Sequence, residues 1–308
     1  MAKDTTAILA MALGGPTHLD DVGPYLADIR GGRPTPPAMV EEFRERYRRI
    51  GGGSPLLEIS TAQAKGLESA LASEGFRVRA YVGMRHWHPY IAEAVAEIGA
   101  DGIRKAVAFC LTPYYSRMSV GAYLDAARQA IKDQGLDLEL TAVESWNDAP
   151  GLADAFAEKV AAGRAALERE GFRDPYVLFT AHSLPRTITE AGDPYERELR
   201  ETMDAIAARL PPIRSSMAYQ SAGRTAGPWL GPPLEDVIED LGRKGEKAIL
   251  VVPFGFVSDH LEILYDVDIE ARERAEKAGV RLERAASLNA DPKFVAAMAA
   301  AVRPRLAP

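Results

Sequence analysis

With a single cysteine in 308 residues, the chain has no partner for an intrachain disulfide. It also cannot supply a four-cysteine zinc site or iron–sulfur cluster from one chain. That cysteine, Cys110, lies inside an apolar run, where a thiol is expected to act as a small buried hydrophobe. No apolar stretch approaches the roughly 18–20 residues that span a bilayer. Met1-Ala-Lys-Asp-Thr-Thr lacks the charged and apolar regions of a secretory leader. Acidic residues outnumber basic ones, 44 to 37, and the net charge of −7 argues against a nucleic-acid backbone as partner. Phosphate-binding loops are missing too: neither Leu13-Gly-Gly-Pro16 nor Gly51-Gly-Gly-Ser54 completes a G-x-x-x-x-G-K-[ST] or G-x-G-x-x-G pattern. No G-x-S-x-G elbow supports a hydrolase nucleophile. The expectation left standing is a cytoplasmic globular protein, long enough for two ordinary domains.

Two segments stand out by how they end. One reads Tyr176-Val-Leu-Phe-Thr-Ala-His182-Ser-Leu-Pro185. The other reads Ala248-Ile-Leu-Val-Val-Pro253-Phe-Gly-Phe-Val-Ser-Asp-His260-Leu-Glu262-Ile-Leu-Tyr-Asp266. Each is an apolar run of the kind found in parallel strands buried on both faces. Each stops abruptly in titratable residues. In open α/β sheets, ligands sit beyond the carboxyl ends of the strands. An imidazole and a carboxylate delivered there can bind a divalent metal, move protons, or do both.

The chain also repeats itself. Glu93, Val95, Glu97 and Lys105 fall on Glu235, Val237, Glu239 and Lys247 at a constant offset of about 142 residues. The same offset pairs Ser116 with Ser258, Tyr123 with Tyr265, and Ser145, Asn147 and Pro150 with Ser287, Asn289 and Pro292. Between these blocks the register slips and recovers. Leu13-Gly-Gly-Pro16 aligns with His182-Ser-Leu-Pro185. The pattern reads β-α-β-α-β-α-β-α, twice, with strands expected over 7–12, 78–82, 106–111, 138–143, 176–180, 216–219, 248–253 and 281–285. Helices are expected over 38–49, 59–73, 90–98 and 195–209. Alternation of this kind argues for parallel sheets flanked by helices, hence two Rossmann-like domains facing each other across a cleft. The first is expected over 1–150 plus 292–308, the second over 151–291.

Several side chains could carry chemistry. His182 ends a strand, and its ordinary pKa of about 6.5 suits proton transfer near neutrality. Glu262, Asp266 and Glu270 recur every four residues, which on a helix stacks three carboxylates on one face. Carboxylates suit hard cations, and one added imidazole shifts preference toward Fe, Zn or Co. Arg30, Arg33, Arg44, Arg46, Arg48 and Arg49 crowd a helix that the second half lacks, beside Tyr47 and Ser54. Guanidinium forks bind carboxylates, so an anionic, multi-carboxylate substrate is expected there. Leu13, Tyr114, Tyr123, Trp87 and Trp229 could wall a flat aromatic ligand. His86-Trp-His88 leaves a zinc pair open, although Pro89 suggests a loop.

Taken together these residues resemble the ferrochelatase family over nearly the whole chain. The shared motifs are Met11-Ala-Leu-Gly-Gly-Pro16, Arg46-Tyr-Arg-Arg-Ile-Gly-Gly-Gly-Ser-Pro55, Ala181-His-Ser-Leu-Pro185, Gly192-Asp-Pro-Tyr195, Tyr219-Gln-Ser221, Pro228-Trp-Leu-Gly-Pro232 and Phe256-Val-Ser-Asp-His-Leu-Glu-Ile-Leu-Tyr-Asp266. The resemblance implies insertion of Fe²⁺ into a porphyrin during haem synthesis. Iron is then a substrate, and no cofactor is permanently bound. It implies His182 and Glu262 as the catalytic and metal-handling pair, with Asp266 and Glu270 continuing an acidic ridge. The lip over 25–34 and the segment over 116–123 resemble the coproporphyrin III enzymes of bacteria. Leu13, Arg30, Arg46, Tyr47, Ser54 and Tyr123 then become the substrate contacts. Leu13 stands where those enzymes commonly carry a tyrosine, and Gly31 where an arginine is often found. Protoporphyrin IX as substrate, and a haem-binding protein without turnover, are the competing expectations. A monomer in passing contact with neighbouring haem-pathway enzymes is the simplest assembly.

Overall fold

Apolar runs spaced by amphipathic helices become two parallel sheets in the computed structural model, which describes residues 5–223 and 227–306. Met1–Asp4, on which the reading of the leader rests, lie outside the described residues. The chain divides into two compact units, Met1–Gly151 with Asn289–Pro308, and Leu152–Leu288. Asn289 belongs to the first unit because its carbonyl accepts from Gln63 Nε2 at 2.9 Å. Phe294 belongs there too, its ring 5.6 Å from that of Trp146.

In the first unit the strands are β1 (Thr6–Ala12), β2 (Val78–Met84), β3 (Lys105–Cys110) and β4 (Glu139–Val143), in the order β2-β1-β3-β4, all parallel. The helices are α1 (Val22–Ile29), α2 (Pro37–Arg49), α3 (Leu56–Ser73), α4 (Ile91–Ala100) and α5 (Ala122–Asp133). In the second unit α6 (Leu152–Arg169) leads into β5 (Tyr176–His182), α7 (Arg186–Glu190), α8 (Tyr195–Ala207), β6 (Ser215–Gln220), α9 (Leu234–Arg243) and β7 (Ala248–Val252). It continues through α10 (Leu261–Leu264), α11 (Arg272–Lys277) and β8 (Arg281–Arg284), and α12 (Pro292–Val302) returns to the first unit. The order β6-β5-β7-β8 repeats the first sheet.

The central strands explain the unbroken apolar runs. Residues 7–12 of β1 are all buried, because helices cover both faces of the sheet. Period-two alternation sends Ala7, Leu9 and Met11 to one face, where they meet Ile91, Val95 and Ile98 of α4 and Leu124 and Ala127 of α5. β4, at the sheet edge, alternates instead. Cys110 is buried in the same core, and burial pushes its thiol well above the usual range.

The repeat is visible in detail. Ser116 and Ser258 are both buried in the loops that follow β3 and β7. Ser145 Oγ donates to the Pro113 carbonyl at 3.2 Å, and its counterpart Ser287 donates to Asp259 Oδ1 at 2.7 Å. In each unit the last sheet strand is thus tied to the loop after the third. The first of those loops leads into a π-helical segment, Arg117–Gly121, and the second reaches one, Asp266–Ala271, by way of the short helix α10.

β5 runs two residues further than the apolar pattern predicts, because β6 continues beside it to pair Gln220 with His182. Underneath, the turn after β7 packs so closely that a Cβ on Gly255 would lie 2.4 Å from Ala181 Cβ and 2.6 Å from its Cα. Gly255→Ala should therefore lower stability by about 1–3 kcal/mol. The loss should appear as a reduced urea midpoint with unchanged slope. An unchanged midpoint would contradict this close approach.

Candidate active site

Sheet geometry alone brings the second unit's polar groups together. Its four strands are parallel, so their carboxyl ends share one edge. His182 is the last residue of β5. Its carbonyl accepts from Tyr195 Oη at 3.1 Å, and the Ser183 amide donates to the Gln220 carbonyl at 2.8 Å. Glu262 comes from the other side, in the first turn of α10, two residues after the N-cap His260. The two meet with His182 Nδ1 2.9 Å from Glu262 Oε2. Both remain partly open to solvent, with side-chain exposures of 33% and 27%.

Electrostatics lock the pair together. Burial alone would pull the His182 imidazole down, but the charge and hydrogen bond of Glu262 outweigh it, with Asp266 adding to them. The imidazole therefore sits above its ordinary 6.5. Burial would raise the Glu262 carboxyl, but His182, by charge and by hydrogen bond, holds it below 4.5, and His260 and Ser221 help. An ionised carboxylate can only accept, so Nδ1 carries the proton and Nε2 of neutral His182 keeps a free lone pair.

The acidic ridge differs from a straight helix. α10 is four residues long, and the chain then widens into Asp266–Ala271, where the Glu270 amide donates to the Tyr265 carbonyl at 2.9 Å, five residues back. Asp266 is buried and accepts from Ser221 Oγ at 2.5 Å, while Glu270 is half-buried. Ser221 reaches it from a left-handed conformation, φ 58°. Among the described residues no group of three or more His, Cys, Asp or Glu is arranged to hold a metal ion. Of His182, Glu262, Asp266 and Glu270, the geometry brings the first two into direct contact. Spacing puts carboxylates on one face, but it does not turn their oxygens toward a common point, and one Asp266 oxygen is turned to Ser221. His182 and Glu262 are the donors held within bonding distance of each other.

Sequence reasoning quoted His260 but gave it no role. Its ring lies edge-on to Phe256 at 4.8 Å, and Phe256 lies edge-on to His182 at 6.3 Å. Burial outweighs the nearby Glu262 and holds this imidazole below 6.5, and its Nδ1 is buried without a hydrogen-bond partner. Two neighbouring imidazoles are thus pushed in opposite directions.

The first unit carries the other candidates. Tyr47 and Ser54 converge on the loop after β1: a Cβ on Gly15 would lie 2.8 Å from Ser54 Oγ and 4.0 Å from Tyr47 Oη. The Ser54 amide donates to the Pro16 carbonyl at 2.8 Å. Leu13 heads that loop and is exposed, as are Ile29 at the end of α1 and Met118 in the π-helical segment. Arg30 caps α1 and has a buried Nε without a partner. Arg46 lies 3.2 Å from Glu42 Oε1, and its guanidinium is 5.4 Å from the Phe43 ring centre. Tyr123 is buried in the core under the sheet. His86 and His88 do not form a zinc pair: they turn to different carboxylates, Asp28 at 2.8 Å and Glu93 at 2.9 Å.

The site thus sits in a duplicated parallel-sheet α/β fold, with an imidazole–carboxylate pair at the strand ends of the second unit. In fold the chain is similar to SirB from Bacillus subtilis with Fe³⁺, at a TM-score of 0.60, 11% identity, and coverage of 98% of this chain and 96% of that one. The ferrochelatase family profile matches residues 5–306. The chain is 41% identical to the ferrochelatase of Deinococcus radiodurans over 97% of this chain and 96% of that one. It is 39% identical to the coproporphyrin III ferrochelatase of Geobacillus thermodenitrificans over 100% and 98%. The chain belongs to the ferrochelatase family and is a metal chelatase.

The charged pair makes stability depend on pH in two windows. The contribution of His182 is fully present below 6.5 and is lost as pH rises through its raised value. The contribution of Glu262 is present above 4.5 and is lost as pH falls through its depressed value. Glu262→Gln removes the larger raising influences on His182. Its imidazole should then titrate at lower pH than in the wild type, followed by the ring C–H resonances in NMR. An unmoved midpoint would contradict the pairing.

Proposed function

We propose that this chain inserts Fe²⁺ into coproporphyrin III, with His182 as proton acceptor and Glu262 as its charged partner. The observation that carries this reading is the 2.9 Å contact between His182 Nδ1 and Glu262 Oε2 at the end of β5. Two pyrrole N–H protons must leave as the metal enters. With Nδ1–H committed to Glu262, Nε2 can take one of them, and the nearby carboxylate stabilises the imidazolium that results. The raised pKa of His182 favours that uptake near neutrality. Glu262, ionised, offers the entering cation a hard oxygen donor. Asp266 and Glu270, further along the same segment, supply negative charge that draws cations and exported protons past the pair. Binding energy from remote parts of the macrocycle can be used to bend it toward the geometry that exposes its nitrogen lone pairs.

The first unit supports the choice of porphyrin. Leu13, Ile29 and Met118 are large apolar side chains left exposed, and they suit the face of a macrocycle. The buried, partnerless Nε of half-exposed Arg30 is a donor whose cost a ligand carboxylate would relieve. Arg46, Tyr47 and Ser54 offer further donors for propionates, and the Tyr123 hydroxyl is proposed to reach one as well. Coproporphyrin III carries four carboxylates and protoporphyrin IX two. The Geobacillus relative is named for the former. Iron is consumed as substrate, so no resident cofactor enters this proposal. Leu13 has no donor atom for iron, so any side-chain ligand to the product metal would come from His182 or be absent. A tetra-anionic substrate that stays in water fits a cytoplasmic setting, with passing contacts to the enzymes before and after it in haem synthesis.

Anaerobic absorbance assays with Fe²⁺ test the substrate. Turnover should be faster with coproporphyrin III than with protoporphyrin IX. Arg46→Ala should raise the KM for coproporphyrin III by about tenfold, the scale of one charge-assisted contact, with kcat little changed. Preference for protoporphyrin IX, or an unaffected KM, would overturn the assignment.

A further inference from the structure

One buried glutamine is bonded to both segments that carry the pair, the strand that ends in His182 and the short helix that holds Glu262. Gln220 ends β6, level with His182 in the sheet register. Its side chain is buried. Gln220 Oε1 accepts from Thr180 Oγ1 at 2.8 Å, and Nε2 donates to the Glu262 main-chain carbonyl at 2.7 Å. Its own carbonyl accepts from the Ser183 amide, the residue after His182, at 2.8 Å. One residue thus anchors the strand that carries His182 and, through its side chain, the short helix that carries Glu262.

The hydrogen bonds fix the orientation of the amide. The Glu262 carbonyl can only accept, so the NH₂ group must face it. The amide oxygen then faces Thr180, and that hydroxyl must donate. All three groups are satisfied in this arrangement alone, and an amide flipped by 180° would put two oxygens together. The need for such an anchor follows from local structure. α10 has four residues, too few to hold itself by its own hydrogen bonds, and it runs directly into a π-helical segment. Tertiary contacts must therefore set where Glu262 stands.

We propose that Gln220 is a positioning residue for metal insertion, holding the Glu262 main chain so that its carboxylate stays on His182 Nδ1. This inference rests on the reading of His182 and Glu262 given above. Gln220 touches neither metal nor porphyrin on this account, and it acts only through Glu262. Its loss should therefore damage the chemical step and spare porphyrin binding, because the proposed propionate donors lie in the other unit.

The test combines two measurements on the full chain at one pH. The first is turnover with Fe²⁺ and coproporphyrin III. Gln220→Met keeps the bulk and removes both hydrogen bonds. It should lower kcat by about tenfold to a hundredfold, the scale of a misplaced catalytic group, with the KM for porphyrin changed less than about twofold. The second is the downfield NMR signal of the carboxylate-bonded His182 Nδ1 proton, identified by its absence in His182→Gln. It should be lost or broadened in Gln220→Met while far-ultraviolet circular dichroism stays native. If Gln220→Met does not fold, Thr180→Val carries the test: it frees one end of the amide and should broaden the same signal and lower kcat by a smaller factor. A folded variant with an intact signal and unchanged kcat overturns the proposal, as does a loss confined to thermal stability. If the wild type inserts no metal, the proposed function fails, and the NMR signal alone still decides whether Gln220 positions the pair.

Discussion

The contact between His182 Nδ1 and Glu262 Oε2 is the constraint on which the second unit is arranged. Burial disfavours the charged form of each, and each overcomes it through the other. The partners come from residues 80 apart in the chain, so the contact exists only because β5 and β7 are parallel neighbours whose ends share one edge. The surroundings then refine it. Ser221 adopts a left-handed backbone and holds Asp266. Arg284, at the end of β8, grips Asp268 through two hydrogen bonds of 2.7 and 3.0 Å and also reaches Asp259. The π-helical segment is therefore fixed from two strands at once.

Duplication explains how one fold offers two kinds of surface. β1 and β5 hold the same place in their sheets, and Leu13 follows the first where His182 ends the second. Beyond the third strand, one unit leads to exposed Met118 and the other to His260 and Glu262. One copy leaves large apolar side chains exposed beyond its strand ends, and the other ends in a paired imidazole and carboxylate. A parallel sheet buried on both faces tolerates this divergence, because the strand interiors carry stability and the loops carry chemistry.

Much of this was legible in the sequence. Each expected strand lies within two residues of the observed one, since a doubly covered parallel strand writes itself as an apolar run. His182 was legible because it ends such a run, and Glu262 because it lies just past the polar turn that follows another. The four-residue spacing of Glu262, Asp266 and Glu270 was legible as well, but its meaning was not. Periodicity reports a face, whereas the π-helical turn and the Ser221 hydroxyl decide where each carboxylate points. No residue type encodes a five-residue hydrogen bond, and Ser221 carries no mark of its positive φ. The burial of His260 and the pairing of His86 with Asp28 arise from contacts between distant segments, which local pattern does not contain.

The central claim is that His182 takes a pyrrole proton while another surface holds the porphyrin. The most direct measurement is anaerobic single turnover of His182→Ala with Fe²⁺ and coproporphyrin III, alongside porphyrin binding by fluorescence quenching. The account predicts binding within a few-fold of wild type and metal insertion reduced by about a hundredfold or more, the contribution of a positioned general base. Insertion at near wild-type rate, with binding intact, would contradict it.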